Sequence, residues 1–406
     1  MIKKDLQIYK FSLYGFLKNL RFFEPFIILF FREMGISFLQ IGLLYSIREL
    51  TTNIVEIPSG MIADKFGRKL AMIMSFCFYI LAFSIFYFFP QFWFYALAMV
   101  VYGFAEAFRS GTHKAMIFDY LKLHNWQDKK VEYYGFTRSW SQFGSAVSAL
   151  IAAIIVFYSG SYRYIFLFSI VPYLFNLALM ISYPNSLNQS HTKHKASTSD
   201  ILKDFMQLFK LSTLRKAILN STLFDGVFKS TKDYLQPILV AMISVLVLFP
   251  RFSEEQNLAI AVGLIYFILF FLSGIAARKA YKFRKIFPSL AFSIDLSFVI
   301  GMVVIFLAGV AFIFHLQVIS VVMLVLLYVL QNLRRPLNID LISELIPQRI
   351  MASGLSLESQ GKTLAVAIFA PIMGWAVDSF GIGYGFIILA VILIIMSPLV
   401  WVRSRD

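Results

Sequence analysis

The chain contains a single cysteine, Cys77, so a disulfide bond within it is impossible. It has no phosphate-binding loop of the Gly-x-x-x-x-Gly-Lys-Ser/Thr type, and no His/Glu pair stands at the spacing of a zinc protease. We therefore expect no ATP-driven chemistry, no metal, no cofactor and no enzymatic activity. Charged residues make up only 15% of the sequence and hydrophobic residues 59%, a balance that excludes a soluble globular domain and is typical of a polytopic membrane protein.

Apolar runs divide almost the whole sequence into segments long enough to cross a bilayer, for which a helix needs ~20 residues. The first run is too long for a signal sequence and lacks a small-residue cleavage site, so we expect it to be retained. About twelve such segments predict an all-α membrane protein with twelve transmembrane helices. The predicted spans are residues 11–33, 38–60, 69–90, 92–117, 134–158, 162–182, 215–243, 256–277, 288–312, 317–342, 351–377 and 382–402.

The formal net charge of +15 has a topological explanation, so we expect no nucleic-acid partner. If the chain starts inside and crosses with each span, the external segments and the span ends beside them hold only Arg32, Arg163 and Arg251 among the Lys and Arg residues. Most Lys and Arg residues outside the spans then fall on the cytoplasmic side, as the positive-inside rule requires. The distribution predicts a multi-pass protein of the cytoplasmic membrane with both termini in the cytoplasm.

One polar stretch, residues 184–200, has the composition of a flexible linker, and we expect its His191 and His194 to be solvated rather than metal-bound. Apolar residues at helical spacing over 201–210 predict an amphipathic helix at the membrane surface. The linker separates two halves of similar size. The expected domains are an N-terminal six-helix bundle at 1–183, a cytoplasmic linker at 184–213 and a C-terminal six-helix bundle at 214–406.

The two halves repeat one another weakly but in the same order. Arg109 precedes Asp119 by the same interval that separates Arg334 from Glu344. Other positions match at a similar offset, and the shared order favours a duplicated six-helix bundle. The further matches are Glu24-Pro25 with Gln236-Pro237 and Glu106 with Gln331.

A polar string between the second and third predicted helices is the most specific motif, with the pattern Gly-x-x-x-Asp-x-x-Gly-Arg-Lys over residues 60–69. This pattern resembles the signature loop of the major facilitator superfamily, whose members are secondary transporters. The resemblance implies two parallel six-helix bundles around a central cavity and alternating access to a small-molecule solute. We expect the protein to act as a monomer in the lipid bilayer.

The resemblance also implies a gate on the cytoplasmic side. Arg68 would pair with Asp119 at the end of the fourth predicted helix, with Arg138 nearby. Asp64 would accept hydrogen bonds at a helix N-terminus, and the turn glycines would allow close approach. The alternative is a plain positive-inside turn with helix caps. The implied gating residues are Gly60, Asp64, Gly67, Arg68, Lys69, Asp119 and Arg138.

Ionisable residues inside the predicted spans are candidate solute ligands, because charge at the bilayer centre is costly unless it is paired or solvated. Arg109 and Arg334 occupy matching positions of the repeat, and a guanidinium binds carboxylate or phosphate through a planar fork. The alternative is that such groups pair locally, as the spacings Arg21/Glu24, Glu106/Arg109, Asp225/Lys229 and Glu358/Lys362 would allow. The candidate solute ligands are Arg109, Arg334, Arg21, Glu106, Gln331 and Glu358.

Coupling to protons needs a carboxylate that changes protonation during the cycle. The candidates are Glu49, Glu56, Glu24, Asp225 and Asp233. Glu49 and Glu56 lie seven residues apart on the second predicted helix. Together with Pro58 and the signature turn, they resemble the variant loop of the P-class tetracycline efflux proteins.

This second resemblance implies proton-coupled export of a small organic solute, in its sharpest form a drug. The fifth predicted helix lacks the glycine-proline signature of many drug–proton antiporters, since Gln142-Phe-Gly144-Ser stands there. The alternatives are a proton-coupled importer of a polar or anionic metabolite and, from another class, a non-transporting membrane receptor or enzyme.

Overall fold

The computed structural model describes residues 5–126, 130–188, 211–246, 249–346 and 351–402. Within these ranges the protein is all-α, as predicted, with fifteen α-helices. The amphipathic helix predicted at 201–210 and most of the linker lie outside the described residues. The helices are α1 Leu6–Lys18, α2 Ile27–Glu33, α3 Phe38–Phe66, α4 Arg68–Phe88, α5 Phe92–Arg109, α6 Thr112–Leu123, α7 Lys130–Ser159, α8 Tyr164–Ile181, α9 Ser212–Thr231, α10 Leu235–Ile243, α11 Glu254–Arg284, α12 Leu290–Ile313, α13 Gln317–Leu345, α14 Met351–Phe380 and α15 Ile382–Val400.

Eight of the described helices are long enough and apolar enough to cross a membrane. The prediction of a multi-pass membrane protein is therefore confirmed at this level. These segments are Arg68–Phe88, Gly135–Ser159, Tyr164–Ile181, Glu254–Arg284, Leu290–Ile313, Gln317–Leu345, Gly354–Phe380 and Ile382–Val400.

Three of the predicted spans are interrupted helices rather than continuous ones. The span predicted at 11–33 breaks between α1 and α2 at a 3-10 turn, Glu24–Phe26, in which proline occupies the first turn. The span predicted at 92–117 breaks between α5 and α6, where Gly111 has a φ of 71°. The span predicted at 215–243 breaks between α9 and α10 at the 3-10 turn Lys232–Tyr234. Apolar periodicity alone runs through all three breaks, which is why the sequence did not predict them.

The helices form two compact units. The first unit comprises Met1–Gly35, Ile47–Lys193 and Val247–Phe271. Its interior is aromatic: Phe86 stacks on Phe166 with ring centroids 4.7 Å apart, and Phe23 stacks on Phe166 at 5.7 Å. These rings pack α4 and α8 against the segment that joins α1 to α2, and so fix the position of the first helix break.

The second unit comprises Ile36–Ser46, His194–Leu246 and Leu272–Asp406. In it the start of α3 packs on α14, where a side chain at Gly374 would collide with the Phe38 carbonyl. Asp378 caps the same helix start, accepting hydrogen bonds from the backbone N–H of Phe38 (3.1 Å) and Leu39 (2.7 Å). Each unit thus includes part of a helix from the other half of the sequence. The predicted domains 1–183, 184–213 and 214–406 stay a prediction.

Candidate functional site

A charged cluster of the first unit is built around the carboxylate of Glu106. Its Oε1 accepts hydrogen bonds from Arg21 Nη2 at 3.0 Å and from the Tyr79 hydroxyl at 2.6 Å. Its Oε2 pairs with Arg109 Nη2, and Arg109 Nε donates to the Tyr79 hydroxyl at 3.0 Å. Both carboxylate oxygens are therefore engaged, and the cluster ties the α1–α2 segment to α4 and α5.

The two helix breaks of the first unit position this cluster. Arg21 lies in the irregular segment after α1, and Arg109 is the last residue of α5, directly before Ser110 and Gly111. Non-helical backbone at membrane depth is tolerated where it is buried in protein or lines a cavity, and transporters build solute sites from such broken helices. The breaks and the charges therefore indicate one polar site.

The local pairing predicted from spacing is confirmed for three of the four pairs. Arg109 pairs with Glu106, Lys229 Nζ lies 3.2 Å from Asp225 Oδ2, and Lys362 Nζ lies 2.5 Å from Glu358 Oε1. In the fourth case Arg21 instead pairs with Glu106, which lies far along the sequence on α5. Sequence spacing could not indicate this contact, because it depends on how the helices pack.

The second unit carries its own polar cluster on α9, α13 and α14. Asp225 binds Lys229 and also accepts a hydrogen bond from Gln331 Nε2. The nearby Glu358 binds Lys362 and accepts from the Ser221 hydroxyl at 2.6 Å. The structure thus brings two of the predicted solute ligands, Gln331 and Glu358, into paired networks of the second unit.

Arg334 lies apart from these pairs, fully buried at 0% exposure. Its Nη1 donates to the Ile294 carbonyl (3.1 Å) and its Nη2 to the side-chain oxygen of Asn220 (2.7 Å), while its guanidinium lies 3.9 Å from the ring centroid of Phe224. Asn220 in turn donates to Asp295 at 3.3 Å. The role of Arg334 as a solute ligand stays a prediction, but this geometry favours the alternative of a packing residue.

The predicted proton carriers differ in their partners. Glu49 accepts a hydrogen bond from Arg48 Nη2 at 2.7 Å. Asp233, in the break between α9 and α10, lies 2.5 Å from Lys232 Nζ and accepts from the Tyr45 hydroxyl at 3.1 Å. Glu56 on α3 is half-buried, and in the described part of the chain it forms no ion pair; its Oε1 accepts from the Ser110 hydroxyl at 3.2 Å. Glu24 lies in the first helix break.

At the signature turn, Arg68 pairs with Asp119 as the resemblance implied. Gly67 has a φ of 103°, a backbone conformation that favours glycine. Gly60 lies within α3, and no atom of the described residues lies inside 4 Å of a side chain placed there. The described residues make no close approach at Gly60, and its part in the gate stays a prediction. Asp64 is exposed near the end of α3, and Arg138 is half-buried on α7.

Sequence reasoning missed a contact that holds this turn. The Asn188 side-chain oxygen accepts from the Lys69 backbone N–H at 3.1 Å, and Lys69 Nζ donates to the Tyr183 carbonyl at 2.7 Å. A side chain at Gly67 would collide with the Asn188 amide. No spacing rule links residue 69 to residue 188, so the sequence carried no signal for this contact.

Apolar helices that break where ionisable residues lie are typical of membrane transporters. Residues 15–357 match the family model of the Major Facilitator Superfamily, and the chain belongs to this family of secondary transporters. The recognition made from the signature loop is thereby confirmed, and the family is not one of enzymes.

Several known proteins are similar to the chain. An uncharacterized MFS-type transporter of Bacillus subtilis (strain 168), YxaM, is 24% identical over 383 residues, which cover 92% of this chain and 89% of that protein. A variant of the nucleoside transporter NupG superposes with a TM-score of 0.80 at 14% identity, covering 98% of this chain and 100% of that one. A POT family transporter in complex with a thioalcohol-conjugated peptide reaches 0.71 at 14% identity, covering 97% and 95%. The two solved structures share the fold with this chain.

Proposed function

We propose that the protein is a proton-coupled secondary transporter that exports a small organic solute across the cytoplasmic membrane by alternating access. Counting each interrupted helix pair as one crossing reduces the fifteen described helices to twelve spans, six in each half of the sequence. The first and seventh spans, which correspond in the repeat, are both interrupted, and this supports a duplicated bundle. We further propose that both termini are cytoplasmic and that the protein acts as a monomer.

Glu56 carries the proposal of proton coupling. A carboxylate inside a membrane protein costs about 2.5–3.5 kcal/mol when it is charged and uncompensated at the centre of a helix. Glu49, Asp225 and Asp233 each contact a basic side chain, whereas Glu56 has a hydroxyl as its hydrogen-bond partner. A proton on Glu56 would remove the uncompensated charge, so Glu56 is the best-placed group to gain and lose a proton.

The Arg21–Glu106–Arg109 cluster is the proposed solute site. Its charges are partly accessible, with side-chain exposures of 19%, 20% and 23%. The direction of export rests on the resemblance of the signature loop to that of the P-class tetracycline efflux proteins. Import of an anionic metabolite is the second candidate, and two arginines around a single carboxylate favour an anionic solute in either direction.

Transport measurements in membrane vesicles test proton coupling and the direction of transport together. A panel of drug-susceptibility tests in an efflux-deficient host first identifies a transported compound. That compound is then followed in right-side-out and inside-out vesicles under an imposed pH gradient, for the wild type, Glu56→Gln and the control Glu132→Gln, which alters an exposed carboxylate at the start of α7. We expect Glu56→Gln alone to abolish accumulation against a gradient. Gradient-driven accumulation by Glu56→Gln would reject the coupling role.

A further inference from the structure

Lys18, the last residue of α1, is a basic residue of the first unit for which the proposed function has no role. Its backbone carbonyl accepts a hydrogen bond from the Tyr173 hydroxyl at 3.1 Å. Its ammonium group forms no ion pair and no hydrogen bond with any residue in the described part of the chain, although the side chain is half-buried. Lys18 lies within electrostatic range of Arg21, Arg109 and Glu106.

The charges of this region do not balance. Lys18, Arg21 and Arg109 bring three positive charges, and among the described residues the carboxylates that act most strongly on Lys18 are Glu106 and Glu24. The single negative charge of Glu106 is already shared between Arg21 and Arg109, so it leaves Lys18 without a full counter-charge. One cation is left without a counter-charge in a membrane protein, where unpaired charge is retained for function.

A second hydrogen-bond donor of the same cluster also lacks an acceptor among the described residues. Arg21 Nε is buried and has no hydrogen-bond partner among the described residues. Buried donors are nearly always satisfied, so an orphan beside an unpaired lysine indicates that an acceptor is missing. A carboxylate or a phosphate of the solute supplies both an acceptor and the absent negative charge.

The helix dipole does not remove the need for this acceptor. A lysine in the last turn of α1 is favoured by the partial negative charge of the helix C-terminus. However, the carbonyls of that turn already accept hydrogen bonds, among them Gly15 from Asn19 Nδ2 at 2.6 Å. The dipole explains why a cation is tolerated at this position, but it supplies no counter-ion.

From the charge imbalance and the two unmet donors, we infer that Lys18, Arg21 and Arg109 form an oxyanion-binding site for a carboxylate or phosphate of the transported solute. The residues beside the three cations are aromatic. Tyr79 packs edge-on against Tyr102 and Tyr173, with ring centroids 5.1 and 5.0 Å apart. This inference rests on the proposed function for the identity of the site as the solute site.

Thermal unfolding of the purified full-length protein in detergent tests the site without a proton gradient. Melting temperatures are measured with benzoate or phenyl phosphate, with the neutral analogues benzamide and phenol, and with the cation benzylamine. The variants are Lys18→Met, Lys18→Gln, Lys18→Arg and the control Lys122→Met, which removes an exposed lysine of α6.

We expect at least one of the two anions, and no neutral or cationic analogue, to raise the melting temperature of the wild type, Lys18→Arg and Lys122→Met. The apparent affinity should fall about tenfold or more in Lys18→Met and Lys18→Gln, since a charge-assisted hydrogen bond is lost. Response to benzoate alone assigns a carboxylate, and response to phenyl phosphate alone assigns a phosphate.

Melting temperatures measured without any ligand test the inference a second time. Because an uncompensated cation destabilises the protein, we expect Lys18→Met and Lys18→Gln to melt at or above the wild-type temperature. Lower melting of both variants would show that Lys18 has a structural partner and would overturn the inference. So would the absence of any anion effect, or an equal effect of benzamide. Failure of Glu56→Gln to uncouple transport would leave the anion result unaffected, so the two proposals fail separately.

Discussion

Arg109 and Arg334 occupy matching positions in the two halves of the sequence but lie in opposite environments. Arg109 belongs to a cluster with partly accessible side chains, paired with Glu106 at the break between α5 and α6. Arg334 is fully buried, and its guanidinium is held by uncharged groups, the Ile294 carbonyl, Ser297 and Asn220. The comparison shows that a duplicated position can keep its residue while its surroundings change from a partly accessible ion pair to a fully buried set of uncharged groups.

The largest expected effect is a loss of stability when the buried Arg334 is replaced. Arg334→Met should lower the free energy of unfolding by about 2–4 kcal/mol, because the buried Ile294 carbonyl, Ser297 and Asn220 lose the hydrogen bonds that the guanidinium donates. Thermal unfolding in detergent measures it, with Arg335→Met as the matched control, since Arg335 is exposed on the same helix. An unchanged melting temperature for Arg334→Met would show that Arg334 does not stabilise the fold and would contradict the contrast with Arg109.

The second prediction concerns the signature turn at residues 60–69, in the first half of the sequence. Arg68→Ala removes the ion pair with Asp119, and Asp64→Asn removes the turn carboxylate. Each should reduce the transport rate at least about tenfold with expression largely intact, which corresponds to about 1.4 kcal/mol. Transport in vesicles measures this, with the exposed neighbour variant Lys65→Ala as control. Wild-type rates from a well-expressed Asp64→Asn protein would rule out the gate.

The third prediction compares the two glycines of that turn. Gly67→Ala should destabilise the protein by about 1–2 kcal/mol, because its backbone conformation strains an L-residue and the new methyl group meets Asn188. Gly60→Ala lies inside a helix with open space and should stabilise it by about 0.5–1 kcal/mol. Melting temperatures of the two variants, measured side by side, decide this. Equal shifts would mean that the turn is not held as the structure shows.

The smallest expected effect is at Asn188. Asn188→Ala should cost about 1 kcal/mol by leaving the Lys69 N–H without its acceptor, whereas Asn188→Asp keeps a side-chain oxygen at that position. Because the bond holds the turn, Asn188→Ala should also lower the transport rate. Ser186→Ala, an exposed change in the same short segment, serves as control. A rate for Asn188→Ala equal to that of Ser186→Ala would remove Asn188 from the gate.

Local sequence patterns predicted what depends on local physics. The all-α class followed from apolar run length, and the pairs Glu106/Arg109 and Glu358/Lys362 followed from helical spacing. The pair of Arg68 with Asp119 came from the resemblance of the signature loop. Each of these features is determined by residues that are close in sequence or by a motif that is already known.

What the sequence could not indicate depends on packing between distant segments. The ion pair of Arg21 with Glu106 joins residues from separate helices, and the 0% exposure of Arg334 depends on the helices around it. The sequence carried one usable signal for Lys18, since it is one of five charged residues in the first predicted span. Its lack of a counter-charge became visible only when the partners of Glu106 were known.

The measurement that tests the central claim most directly is thermal unfolding of the matched pair Arg109→Lys and Arg334→Lys, with and without the anion that stabilises the wild type. Lysine keeps the charge but loses the planar fork. We predict that Arg109→Lys melts within a few degrees of the wild type and loses most of the anion effect, whereas Arg334→Lys melts clearly lower and keeps it. The reverse pattern, or the same response from both variants, would contradict the division of roles between the two arginines.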